Sequence, residues 1–358
     1  MQRSIRVLIA VLMLFALSAA SAQQPLKLTI ASSHPTTLPW VGLMSTVFVP
    51  EVNRRLDALK KGYRIEWREA YGGQLYKANA TLTSISENIT DIGWVLHILE
   101  GSKLPLAQVT GYAPGVSDDP RLVMAVMNDL NESVPALKAE WEKNNVVFLG
   151  ATAGDTYQLF TKAPVKSIAD LRGRKISAPG VLGSWLRGTG ATALEGALTT
   201  YYTDLQTGLS EGVITNATGA YTVKVFEVAP IMSRAALGST YYGAIAINKD
   251  VWVKLPPEIQ GAMKEAGREY SRALGEEVLK RYEAALSGMA AAKQTPPVQI
   301  VEWSVTQRKE WLGALPNIAQ DWVKTNEAKG LPAAAVLRAY MDDARKRGAT
   351  PLRDWDKP

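Results

Sequence analysis

Between Pro256 and Ala292 the apolar side chains Ile259, Met263, Ala266, Tyr270, Leu274, Val278, Tyr282, Leu286 and Met289 recur at steps of three and four. That spacing draws one apolar stripe on a single helix. At about 1.5 Å per residue the helix is roughly 50 Å long. Pro256 and Pro257 stand where proline suits a helix start. Gly261, Gly267 and Gly275 fall inside it, each costing about 1 kcal/mol relative to alanine. A coiled-coil helix gains nothing from those glycines, whereas a helix packed along a two-part body accounts for both the stripe and the gaps in it.

Length points the same way. The first 22 residues read as a processing segment: Arg3 and Arg6, an apolar run of 11 residues from Val7 to Leu17, then Ala20-Ser21-Ala22 before a cleavage point. The run is shorter than the roughly 20 residues that span a bilayer, and no cysteine follows it to take a lipid. The expectation is an exported chain cut after Ala22, with no stable membrane insertion. Cleavage removes two arginines and no acid, leaving 38 basic against 34 acidic side chains. That mild excess is scattered and makes no basic face for nucleic acid, though it can favour capture of anionic solutes. There are no cysteines, which excludes disulfides, thiolate metal sites and cysteine nucleophiles. The remaining 336 residues exceed the size at which single cores tend to split, about 250–300 residues. No internal repeat or long linker separates two halves, so the lobes are expected to be woven together by several crossings.

Along the chain, Leu26, Leu28 and Ile30 alternate with polar neighbours as a first strand. A helix follows from about Trp40 to Leu59 with a kink or break at Pro50. Tyr63, Ile65 and Trp67 mark a second strand, 78–87 a helix and 89–95 a third strand. Leu122 to Asn144 is helical and divided by Pro135, and Val146 to Leu149 is a buried strand. Strands at 157–161 and around Ser177, a helix from Val181 to Leu194, a helix near Thr203–Gln206, a return over 225–231 and a strand at 241–247 complete the reading. The alternation indicates α/β lobes. The expected division is 23–152 with 241–290 as lobe one, and 153–240 with 291–358 as lobe two.

The ordered landmarks Gly72-Gly73-Gln74-Leu75, Asp91-Ile92-Gly93, Leu104-Pro105-Leu106, Asp170-Leu171-Arg172-Gly173-Arg174-Lys175-Ile176, Glu211-Gly212, Phe226-Glu227-Val228 and Ile247-Asn248-Lys249-Asp250-Val251-Trp252 span nearly the whole chain after Ala22. Together they resemble the DctP-like substrate-binding subunits of tripartite ATP-independent periplasmic (TRAP) transporters. The resemblance implies a two-lobed periplasmic-binding-protein clamshell (type II-like) with a long helix spanning both lobes. It also implies delivery of a small organic acid to a permease of one small and one large membrane subunit.

Carried over residue by residue, the resemblance places the family's carboxylate-clamping arginine at Ser177, a second arginine of some members near Tyr157, the cleft asparagine at Asn216 and an aromatic position at Trp94. An arginine holds a carboxylate through two charge-assisted hydrogen bonds, whereas serine offers one neutral donor. Arg187 is therefore expected as a compensating cation. Leu198, Tyr201, Tyr202, Tyr241 and Tyr242 complete an aromatic and weakly polar set suited to a ring-bearing acid or a keto acid. His34, in the loop after the first strand, is a further candidate donor. Ser177 leaves open a neutral solute, an amino acid or an amine, and a clamshell of this kind also serves ABC importers and sensors. A hydrolase finds no Gly-x-Ser-x-Gly elbow, and two histidines without clustered carboxylates make no metal site. No cofactor is called for.

Overall fold

The computed structural model describes residues 25–357, so the expected processing segment lies outside the described residues. The strands are β1 (Leu26–Ala31), β2 (Ile65–Ala70), β3 (Ile92–Val95), β4 (Val146–Ala153), β5 (Tyr157–Thr161), β6 (Lys175–Ala178), β7 (Thr192–Glu195), β8 (Gly212–Asn216), β9 (Ile231–Arg234), β10 (Tyr241–Asn248) and β11 (Gln299–Glu302). They form two mixed sheets, ordered β2-β1-β3-β10-β4 and β11-β9-β5-β8-β6-β7. In the first, β10 runs antiparallel between β3 and β4. In the second, β5 runs antiparallel between β8 and β9. Every residue of β4 and β10 is buried, as befits strands covered on both faces.

Three passages of the chain join the sheets: β4 to β5 through 154–156, β9 to β10 through 235–240, and the long helix to β11. The first two lie side by side. Tyr157 N donates to Gly238 O (3.0 Å), Leu237 N to Tyr157 O (2.9 Å) and Ser239 Oγ to Gly154 O (2.7 Å). The long helix runs from Pro257 to Ala290. It packs on β4 and the helices Val49–Ala58 and Pro120–Ser133 of the first lobe, and on the short helix Ala217–Thr222 of the second. The two α/β lobes and their spanning helix are those expected.

Two of the helix's glycines have a packing reason. A Cβ on Gly267 would stand 2.0 Å from Leu149 O, and one on Gly275 would stand 2.6 Å from Arg121 Cγ. Gly150 faces Gly267 across the same contact, its own Cβ position lying 2.5 Å from Gly267 O. The kink expected at Pro50 appears as a π turn, Met44–Phe48, between helical segments Pro39–Leu43 and Val49–Ala58. Pro50 has no N–H to give, and its ring pushes away the carbonyl four residues back. Pro135 divides the next helical stretch into Pro120–Ser133 and Pro135–Lys143.

Two expectations are corrected. Val181 to Leu194 is not a helix: Gly180–Leu186 is a 3-10 segment, and Thr192–Glu195 is the edge strand β7. Gly180, Gly188 and Gly190 all take positive φ there, which an α-helix does not accommodate. The C-terminal segment also divides its packing. β11 joins the second sheet, whereas the helices Ile318–Glu327 and Ala333–Lys346 lie on segment Leu106–Tyr112, and the latter also on helix Pro120–Ser133. Three indoles pin that segment's neighbourhood: Trp322 Nε1 donates to Pro105 O (3.0 Å), Trp185 Nε1 to Gly111 O (2.6 Å) and Trp355 Nε1 to Pro114 O (2.7 Å). Among the described residues no helix is long and apolar enough to cross a membrane.

Candidate functional site

The lobes meet over a small cleft holding about 430 Å³ of atom-free space, its open mouth included. The first lobe supplies His34 from the loop after β1, Trp40 from the following helix, Trp94 from β3 with Leu96 and Ile98 beyond it, and Tyr242 from β10. The second supplies Tyr157 at the start of β5, Thr215 and Asn216 at the end of β8, Leu198, and Tyr201 at the head of the helix Tyr201–Thr207. These are strand ends and the loops beyond them, where α/β folds gather ligands.

Close backbone contacts make room for the rings. A Cβ on Gly243 would strike the Trp94 indole at 2.6 Å, so glycine there lets the indole lie flat over β10. A Cβ on Gly154 would come within 3.0 Å of both Asn216 Nδ2 and Tyr242 Cε1. His34 meets Trp94 edge-on at 5.1 Å between centroids, and Tyr242 meets Trp40 edge-on at 5.5 Å. Such edge-to-face pairs are worth about 0.5–1.5 kcal/mol each beyond the area they bury. The long helix reaches this cluster through Tyr270. Its hydroxyl donates to Trp40 O (2.6 Å) and lies 3.3 Å from Thr152 Oγ1, which accepts from Trp94 Nε1 (3.2 Å).

The polar atoms divide into engaged and free. Asn216 Oδ1 accepts from Gly219 N (2.7 Å) and caps the helix Ala217–Thr222, leaving its amide to face Tyr157. Asp155, wholly buried behind the cleft, accepts from Ala217 N (2.7 Å) and Thr218 N (3.2 Å). Burial pushes its pKa up to about 6 against the pull of those bonds. Trp40 Nε1, Tyr201 Oη and Tyr242 Oη are buried with no partner, and burial holds both tyrosine pKa values well above the ordinary range. Buried polar groups are rarely left unpaired, and all three of these atoms belong to residues that line the cleft. Among the described residues, no arginine or lysine lines it. His34 is the one lining side chain able to become a cation, and burial lowers its pKa to about 4.

Of the residues expected from sequence, the structure brings together Trp94, Tyr157, Leu198, Tyr201, Asn216 and His34. Ser177 is buried on β6 between Leu194 and Val213 and does not line the cleft. Gly196 and Tyr201 lie over it, since a Cβ on Gly196 would stand 3.2 Å from Ser177 Cβ and 2.8 Å from Tyr201 Cε1. Arg187 is on the outer surface, where it pairs with Asp321 (2.9 Å). Tyr241 points to the opposite face of β10, its ring 4.1 Å from that of His97. Its neighbour Tyr242 takes the cleft side, while Tyr202 faces out toward Glu227 (3.4 Å). Trp40 was not anticipated, because its place in a helix with other apolar residues reads as core. Alternation did not single out Tyr242: Ile245 is the cross-strand partner of Trp94, and only the register shift between Tyr241 and Gly243 brings Tyr242 to within 6.0 Å of the indole.

Comparison with known proteins agrees with this architecture. The family model for bacterial extracellular solute-binding proteins, family 7 (DctP), matches residues 65–326. A solute-binding protein of Sulfitobacter sp. strain NAS-14.1 is 29% identical over 142 residues, 39% of this chain and 42% of that relative, so the match spans less than half of the relative's length. A TRAP solute-binding protein from Rhodoferax ferrireducens T118, in complex with copurified benzoate, superposes with a TM-score of 0.75 at 19% identity, covering 90% of this chain and 98% of that one. A marine-metagenome TRAP protein specific for pyroglutamate does so with a TM-score of 0.75 at 17% identity, over 90% and 99% of the two chains. At such identities the superpositions establish the fold. With its family model matched over more than half its length, this chain belongs to the DctP family of TRAP periplasmic solute-binding proteins, which are receptors and not enzymes.

Proposed function

We propose that this receptor captures a small, ring-bearing organic acid between its lobes and hands it to the small and large membrane subunits of a TRAP permease. It would reach the periplasm by cleavage after Ala22. The observation that carries the reading is the cleft itself: several aromatic residues line it, and three of them, Trp40, Tyr201 and Tyr242, carry buried donors with no partner. A planar ring can stack there while its polar edge takes up the free hydrogen bonds. Structures of similar fold hold the ring acids benzoate and pyroglutamate.

A second reading rests on one specific observation, the lack of a guanidinium or ammonium in the lining. A neutral lactam or amide would use the same donors without a cation, and a quaternary amine would be covered by the aromatic faces. A thermal-shift screen of the mature protein separates the two. A ligand at 100 times its Kd adds about 2.7 kcal/mol of stability, a shift of several degrees. Shifts with benzoate, pyroglutamate or other ring acids support the proposal. Shifts confined to neutral or cationic compounds overturn it in favour of the second reading.

A further inference from the structure

A carboxylate leaving water for a closed cleft needs a countercharge or a dense set of donors. Among the described residues, the cleft lining has no permanent cation. Lys77 does not line the cleft and donates to Gly73 O (3.3 Å), in the loop whose backbone pairs with that of the His34 loop. We infer that His34 supplies the missing charge by taking up a proton together with the ligand, so that this receptor binds its acid as a ligand–imidazolium pair. The inference rests on the reading of the cleft as an organic-acid site.

The geometry of the imidazole favours this role. Its Nδ1 lies 2.9 Å from Ser33 Oγ, its edge rests on the Trp94 indole, and its backbone is fixed by Ser32 Oγ at the nitrogen (3.1 Å) and Gly72 N at the carbonyl (2.9 Å). With Nδ1 turned to Ser33, Nε2 is the nitrogen left to face a solute. The groups around the cleft leave the charge open. The phenols of Tyr157, Tyr201 and Tyr242 stay neutral, because burial raises all three. Asp155 acts on Tyr157 and Tyr242 from behind, and Glu195 and Asp204 act on Tyr201 from the second lobe. None of these carboxylates is a cause of the His34 shift, which is burial alone. A ligand carboxylate beside Nε2 would be the first strong anion the imidazole meets, and an opposite charge at that range favours the protonated form.

The proton balance is simple. One proton leaves solvent or buffer, joins the imidazole, and remains there until the acid leaves. In the free protein the histidine is neutral above about pH 4. In the complex its pKa is raised. Affinity is therefore greatest at low pH and falls as pH rises, by up to tenfold per unit, between the free and the bound pKa. A site with a fixed guanidinium would show no such slope.

The test is calorimetric titration of the mature protein with benzoate and pyroglutamate at pH 5.5, 7 and 8.5, each in two buffers of different ionisation enthalpy. Net proton uptake that is largest at pH 5.5 and shrinks toward pH 8.5, affinity that falls between pH 5.5 and 7, and loss of both in His34→Gln would establish the inference. The glutamine keeps a neutral donor, and its thermal stability without ligand shows that it is folded. Binding of either acid with no proton uptake and a flat pH profile overturns the inference and leaves the organic-acid reading standing. So does a Lys77→Ala protein that binds poorly at every pH beside a His34→Gln protein that binds normally. If neither acid binds while a neutral lactam does, both readings fall.

Discussion

Tyr201 and Tyr242 each bury a hydroxyl with no partner in the described structure. A buried donor left unpaired costs about 1–3 kcal/mol, while one formed neutral hydrogen bond returns about 1 kcal/mol. Substituting such a tyrosine by phenylalanine should thus separate folding from binding. Tyr201→Phe is expected to leave the melting temperature of the free protein unchanged or raised, and to weaken the bound acid roughly fivefold to tenfold. Calorimetry alongside thermal unfolding reads both quantities; a variant that loses stability without losing affinity would make Tyr201 a packing residue only. Neighbouring positions on one strand show what single residues reveal in advance. Tyr241 and Tyr242 look alike in sequence, yet with a register shift between Tyr241 and Gly243 one goes toward His97 and the other toward Trp40 and Trp94. Period-two spacing states that they part. It does not state which face of the sheet becomes the cleft, because that depends on where the second lobe docks.

At the scale of elements, the long helix was the most readable part of the chain. Its stripe of apolar residues is set by local geometry alone, and the observed Pro257–Ala290 lies within the expected span. Its glycines divide into two kinds that no propensity scale separates. Gly261 has nothing within 4 Å of a Cβ position, whereas Gly267 would drive a methyl to 2.0 Å from Leu149 O. Gly261→Ala is expected to stabilise the protein by up to about 1 kcal/mol, the helix-propensity gain. Gly267→Ala should instead destabilise it by about 2 kcal/mol or more, as overpacking against backbone does. Urea unfolding of the two variants, made separately, checks the opposite signs. The stretch 181–194 was unreadable for a related reason. Trp185 and Leu186 look like a helix's buried face, but the positive φ of Gly180, Gly188 and Gly190 answers to tertiary contacts. A Cβ on Gly180 would lie 2.0 Å from Ile98 O, and one on Gly188 would lie 2.2 Å from Ala314 O. Such constraints come from chain segments far away in sequence. Trp40 escaped notice similarly, since a buried tryptophan in an apolar helix becomes a site residue only when a cleft opens beside it.

Across the whole molecule, the lobes touch beyond the cleft where Ile98 and Gly111 of the first meet Gly180, Val181 and Trp185 of the second. The Trp185 indole donating to Gly111 O (2.6 Å) is the directional bond of that contact. Losing it should favour the open form by about 1 kcal/mol. Trp185→Phe is therefore expected to weaken ligand binding about fivefold, chiefly through faster release, and to enlarge the unliganded protein in small-angle scattering. Equal radii of gyration for variant and parent would remove Trp185 from the closing contact.

The position of β10 has a consequence for how such a chain is made. The first sheet encloses a strand that the ribosome delivers only after most of the second lobe, since residues 241–248 pair with both 92–95 and 146–153. Until then β3 and β4 have no common neighbour, and the first lobe has no closed centre. More than two hundred residues must emerge before that sheet can form. Pairings this distant are slow to find. A chain of this extracellular solute-binding family thus keeps its first lobe without a closed centre until more than two thirds of its length has been made.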